Sequence, residues 1–282
     1  MKKLVLSFFV LAVSLTGYSQ IKTPQPSPTS KVEQVVGLTN VTLEYSRPSM
    51  RGRKIFGDLV PFGKVWRTGA NKNTMITFSD DVSVDGQTLK AGSYAIYTIP
   101  GETSWDVIFY ATTDNWGAPQ ELDDTKVVAK TTVGVNTLPV TIETFTMDID
   151  DLSSGGATLG ILWESTYVGV KFNVPTDNKV LASINDVMNS TPTANDYYAA
   201  AVYYLSEGKD LSQAQEWMDK AMSLTEKPAY WQLRQQSLLY AKTGNKEAAI
   251  ESAKKSLAGA EEAGNDDYVK MNKDSLKEWG AM

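Results

Sequence analysis

The sequence predicts a two-part chain: an antiparallel β-sandwich of jelly-roll type over residues 31–174, then an all-helical region over 175–282. Three observations carry this expectation. From 31 to 174, short runs alternate in polarity with period two, as in Tyr94, Ile96 and Thr98 against Ala95, Tyr97 and Ile99, and Gly, Asp, Asn and Pro separate the runs. After Pro175 the strand texture stops, and apolar residues recur at helical spacing in segments rich in Ala, Leu, Met, Glu, Lys and Gln. One of those segments is also repeated: aligning Ala214 with Ala249 superimposes 213–222 on 248–257, a period of 35 residues.

In chain order, residues 1–20 open with Lys2 and Lys3, continue with a short apolar run over 4–15 and end in small and polar residues. The run is about half of the ~20 residues needed to span a bilayer, so a cleaved secretory signal is expected, with the protein exported to the periplasm or beyond. No cysteine follows the run to carry a lipid. Residues 21–30 hold three prolines and read as a lead-in without regular structure. Strands are expected at about 32–37, 41–46, 73–78, 92–99, 105–110, 126–134, 140–148, 156–164 and 166–173, with turns at Asp85-Gly86, Pro100-Gly101 and Ser154-Gly155-Gly156. Helices are expected at 177–190, 194–206, 211–224, 228–242, 246–262 and 266–280, punctuated by Pro192, Gly208, Pro228, Gly244 and Gly264. The 35-residue period resembles the ~34 of tetratricopeptide repeats. Tyr240 and Gly244 stand where that motif expects its aromatic and its turn glycine. Such helical hairpins imply a surface for a protein or peptide partner.

Composition removes much chemistry. Among 282 residues there is no Cys and no His, so thiolate nucleophiles, imidazole acid–base catalysis, and Cys- or His-ligated metals are excluded. The formal charge of −6, or −8 without Lys2 and Lys3, argues against nucleic acid as a partner, because that binding rests on neutralising phosphates. No phosphate-cradling glycine motif is present, so no nucleotide cofactor is expected. The clusters Asp148, Asp150, Asp151 and Asp80, Asp81, Asp85 lack the spacing of a calcium loop and read as solvated turn acids. No metal, cofactor or catalytic residue is assigned.

Charge is nevertheless segregated. Between Arg47 and Lys72 stand seven basic residues and a single acid, Asp58, whereas the rest of 21–174 has six basic and sixteen acidic residues. Gly52, Gly57, Gly63 and Gly69, with Pro48 and Pro61, preclude a long helix there. An ordered inter-strand loop is expected, offering arginines, an indole and backbone N–H groups to a ligand. This segment, 46–74, followed by Lys90-Ala91-Gly92-Ser93-Tyr94, Ile99-Pro100-Gly101, Asn115-Trp116-Gly117, Glu143-Thr144-Phe145 and Leu162-Trp163-Glu164, resembles the bacterial domain of unknown function 2911 family from about Val32 to Val174. The resemblance implies an exported protein, mainly of Bacteroidota, without an established activity. It supplies no catalytic residues.

The expected site therefore rests on the residues themselves. Arg47, Arg51, Arg53, Lys54, Arg67 and Lys72 suit an anionic ligand, since guanidinium matches carboxylate or phosphate in a bidentate fashion. Trp66 and Trp116 suit stacking on a carbohydrate, Trp116 being the tryptophan expected at the surface. The competing expectation has these cations pairing with the domain's own carboxylates and pinning the loop. Function is expected to be non-enzymatic binding or scaffolding in the cell envelope. The alternative is a glycan hydrolase working through paired carboxylates such as Glu143 and Glu164.

Overall fold

The computed structural model describes residues 23–282; the segment read as a signal peptide lies outside the described residues. Residue contacts divide the chain after Pro175 into two compact units.

The first unit is built from two antiparallel sheets. Strands β1 (Thr29–Val36), β2 (Thr39–Ser46), β3 (Thr74–Phe78), β6 (Gly92–Pro100), β7 (Ser104–Tyr110) and β8 (Val127–Gly134) form one, in the order β1-β2-β3-β6-β7-β8. Strands β4 (Val82–Val84), β5 (Gln87–Leu89), β9 (Asn136–Asp150) and β10 (Gly156–Asn173) form the other, in the order β5-β4-β10-β9. The period-two alternation decides which side chains enter the space between them. Leu43, Ile76, Ile96 and Val107 from the six-stranded sheet share one core with Phe145, Leu159, Val170 and Phe172 from the four-stranded sheet. Full burial of each such side chain stabilises the fold by about 1.5–3 kcal/mol. The alternate residues of β6 and β7 are buried too: Ala95, Tyr97, Ile108 and Tyr110 form a smaller cluster flanked by Val65, Leu122 and Val127.

Two local features differ from the sequence expectation. Strands β4 and β5 are a hairpin turning at Asp85-Gly86, both with left-handed φ (48° and 73°), as a type I′ turn requires. The turn was legible in the sequence, but three-residue arms are too short to show an alternating period. The runs at 156–164 and 166–173, expected as two strands, form the continuous extended segment β10, yet it doubles back at Glu164 (φ 56°). A Cβ on Gly156 would meet the Phe172 carbonyl oxygen, and the Thr158 methyl lies against Gly169. Inward-facing residues are odd-numbered before the reversal (Ala157, Leu159, Ile161) and even-numbered after it (Val168, Val170, Phe172).

The second unit has six helices: α1 (Thr176–Met188), α2 (Ala194–Ser206), α3 (Leu211–Leu224), α4 (Tyr230–Lys242), α5 (Lys246–Glu262) and α6 (Asp266–Glu278). Four of their starts carry side-chain caps. Thr193 and Asp196 form a reciprocal capping box, and Asp210, Asn245 and Asn265 accept from first-turn N–H groups. Helix α2 packs on α3, α4 on α5, and α6 against α5. The repeated segments fall on α3 and α5, and equivalent positions are buried in both copies: Ala214 and Ala249, Met218 and Ala253, Ala221 and Ser256. Apart from Met218, the side chains at these positions are small and allow close helix approach. Among the described residues, no helix is long and apolar enough to cross a membrane.

Candidate binding site

Strands β2 and β3 are antiparallel neighbours that a two-residue turn could join. They are joined instead by 27 residues, 47–73, without a helix or strand of their own. Ordered connections of this length usually have a role beyond connection. The loop is stitched to both sheets. Trp66 exchanges backbone hydrogen bonds with Thr98 of β6 (2.8 and 2.9 Å), and Gly63 N–H donates to the Pro100 carbonyl. On the other side, Met50 N–H donates to Glu143 O and Phe145 N–H to Pro48 O, both at 2.8 Å. Ile55, Phe56 and Val60 anchor its middle in the core.

Beneath the loop, aromatic rings converge. Trp66 stacks on Trp163 (centroids 6.0 Å apart, planes 16° apart) and meets Phe56, Trp105 and Phe145 edge-on. Its indole N–H donates to Gly69 O at 3.1 Å. The chain must tighten to deliver that carbonyl. Buried Thr68 adopts φ 54°, a conformation costly for a β-branched residue, and its hydroxyl hydrogen-bonds Thr98 Oγ1. Gly69 follows at φ 141°, where a Cβ would stand 2.9 Å from Ser46 O. Three of the six non-glycine residues with left-handed φ among those described lie in this loop: Arg51, Thr68 and Asn71.

Over this floor opens a cleft of about 280 Å³. Trp66, Trp163, Leu59 and Val60 line it on the apolar side, and Arg53 and Arg67 supply its charge. No carboxylate lines it. Arg53 donates from Nε to Met50 O (2.8 Å) and from Nη2 to Ser49 O (2.7 Å). These contacts orient the guanidinium without neutralising it. Arg67 Nε is shut off from solvent and has no hydrogen-bond partner; Nη1 lies beside the Gly117 turn. Across the whole loop, no ion pair among the described residues involves Arg47, Arg51, Arg53, Lys54, Lys64, Arg67 or Lys72. The expectation that these cations pair with the domain's carboxylates is therefore not met.

The structure sorts the remaining candidates. Arg47 is tied to β9, donating to Phe145 O (3.0 Å) and Thr146 Oγ1 (2.8 Å), so it clamps the loop's start. Arg51 reaches back to Pro26 O, and Lys54 is exposed. Lys72 opens onto a separate, smaller pocket beside Glu44 and Asn73. Trp116 is 80% exposed, on a turn held by Asn73 N–H to Asn115 O and Gly117 N–H to Asn71 O. Of the eight candidates the cleft gathers Arg53, Trp66 and Arg67. Its apolar walls Leu59 and Val60 left no trace as site residues, because apolar loop positions read as core; Trp163 is visible in the sequence as an indole suited to stacking but reads first as core packing.

The two carboxylates considered for hydrolysis also serve the loop. Glu143 Oε1 accepts from Arg51 N–H at 2.8 Å, Glu164 Oε2 approaches Phe56 N–H at 3.5 Å, and neither lines the cleft. Glu143's carbonyl also accepts from the Trp163 indole at 3.2 Å.

These contacts bring together segments far apart in sequence: 46–74, 115–117, 143–145 and 162–164. A family model described as protein of unknown function (DUF2911) matches residues 27–172. The chain belongs to the DUF2911 family. No curated protein and no solved structure matched it. The motifs of the DUF2911 domain are thus largely the parts that seat one long loop and the floor beneath it. The helical unit lies beyond the DUF2911 match.

Proposed function

We propose that this protein is a non-enzymatic binding module of the cell envelope, exported by its N-terminal segment, in which the DUF2911 domain holds a small anionic ligand on its basic loop. One observation carries the reading: Arg53 and Arg67 line a cleft in which no carboxylate balances their charge. Arg67 moreover keeps a desolvated Nε without a partner. A buried charge without a counter-ion is costly, and an incoming anion relieves that cost. The segregation of cations to this loop in an acidic chain favours entry of an anion at the same place. The paired helices α2–α3 and α4–α5, with their 35-residue period, support a tetratricopeptide-like array for protein contacts.

The test is a thermal-shift screen of the purified protein against dicarboxylates, phosphates and neutral glycans. Binding to the folded state raises the melting temperature by mass action, by an amount that grows with ligand concentration. An anion is expected to raise it, and Arg53→Met to abolish the rise. A melting temperature unmoved by every class at millimolar concentration refutes the reading.

A further inference from the structure

Resting on the anion-binding reading, we infer that the cleft over Trp66 and Trp163 takes an organic monocarboxylate with a compact apolar body, in preference to a neutral sugar or a free phosphate. The donor and acceptor inventory points there first. Sugar hydroxyls donate as well as accept and need side-chain acceptors around them. The lining contains no Asp, Glu, Asn or Gln; its polar side chains are Arg53, Arg67 and Ser27. Such a set welcomes an acceptor-only group. The guanidinium edges left free point the same way. Arg53 already uses Nε and Nη2 on the carbonyls of Met50 and Ser49, leaving its outer edge and the terminal nitrogens of Arg67. That equipment matches one planar carboxylate. A free phosphate would be charge-matched too, but it would leave the apolar walls of the cleft uncovered.

The rest of the cleft specifies the body of the ligand. Leu59 stands 43% exposed at the rim beside two guanidinium groups, and Val60 and the stacked tryptophans continue the apolar surface inward. Covering that surface favours hydrocarbon. A volume of about 280 Å³ holds about nine or ten non-hydrogen atoms at the ~30 Å³ that a water occupies in the liquid. Phenylacetate has that size and charge and serves as the probe.

Titration calorimetry of the purified protein with phenylacetate, phenylacetamide, glucose and inorganic phosphate decides the matter. Phenylacetate is expected to bind saturably. The isosteric neutral amide should bind at least about tenfold more weakly, because it lacks the charge-assisted contacts. Arg53→Met, at an exposed side chain, should weaken phenylacetate at least about fivefold in protein that still unfolds cooperatively. Arg67→Met should weaken it further. If that variant fails to fold, the amide comparison and Arg53→Met still decide. Phosphate or glucose binding more tightly than phenylacetate overturns this inference and leaves the proposed ligand-binding role standing. Binding by none of the four overturns both. Equal binding of phenylacetate and its amide, unaffected by Arg53→Met, shows mere apolar adsorption and likewise overturns both.

Discussion

Asp148 places its carboxyl on the face of the four-stranded sheet turned away from the core, where Gly160 opposes it across β9 and β10. The site exists because Gly160 has no side chain: a Cβ there would stand 2.1 Å from Asp148 Oδ1, and the Tyr167 ring fills the space over Gly160 and Gly169. Oδ1 is shut off from water without a hydrogen-bond partner. Burial, reinforced by the neighbouring Asp150 carboxylate, pushes the Asp148 pKa up to about 6. The unfolded chain, at the ordinary 3.8, releases this proton first. The folded state therefore holds an extra proton between about pH 4 and 6, and stability falls as pH rises through that window. Asp148→Asn keeps the shape, removes the titration and can donate to Asp150. Urea denaturation is expected to show the variant about 1–2 kcal/mol more stable than wild type at pH 7, a figure reduced from the full shift by partial solvent screening, and about equal to it at pH 4. A wild-type stability that is flat from pH 4 to 7 would contradict this account.

At the scale of elements, the loop 47–73 behaves as a structural part in its own right. Its glycines and prolines announce irregular backbone, but they do not reveal that Trp66 pairs with β6 while Met50 pairs with β9. Gly69 is the tightest point, since both its φ and the 2.9 Å approach to Ser46 O exclude a side chain. Gly69→Ala is expected to cost about 1–3 kcal/mol and to displace the carbonyl that accepts from the Trp66 indole. The checks are a lowered denaturation midpoint and an altered tryptophan emission. The helices make the contrasting case. Apolar spacing, punctuating prolines and glycines and the 35-residue period mark them in the sequence, and α2, α3 and α5 begin and end where that pattern places them. Helical contacts that set these boundaries are local, so neighbouring residues suffice to specify them.

At the scale of the whole molecule, each unit carries its own core: the shared sandwich core in one, and in the other the cluster of Ala201, Leu205, Ala214, Met218 and Leu239. The sandwich core and the cleft are not separable. Phe145 is fully buried and meets Tyr45 of the six-stranded sheet, Trp66 of the loop and Trp163 of the four-stranded sheet. Phe145→Ala is expected to destabilise the sandwich by about 3–5 kcal/mol. Because the same ring seats Trp66, the variant should also lose ligand affinity under conditions where it remains folded. Chemical denaturation and calorimetry on one preparation measure both effects. An unaltered cleft in a destabilised variant would show that packing and binding are uncoupled.

By itself, the sequence determined the classes of the two parts, the boundaries of three helices, most strands, the family, and the segment in which basic residues concentrate. All of these rest on periodicity, turn chemistry or charge segregation, signals carried by residues close in the chain. Only the tertiary structure decided which cations are free. Arg47 and Arg53 look alike in sequence, yet one clamps β9 through Phe145 and Thr146, and the other lines the cleft. Nor could sequence reveal that Glu143 and Glu164 steady backbone N–H groups of the loop. Those partners lie about a hundred residues away along the chain, and only the register of two sheets brings them within hydrogen-bond reach.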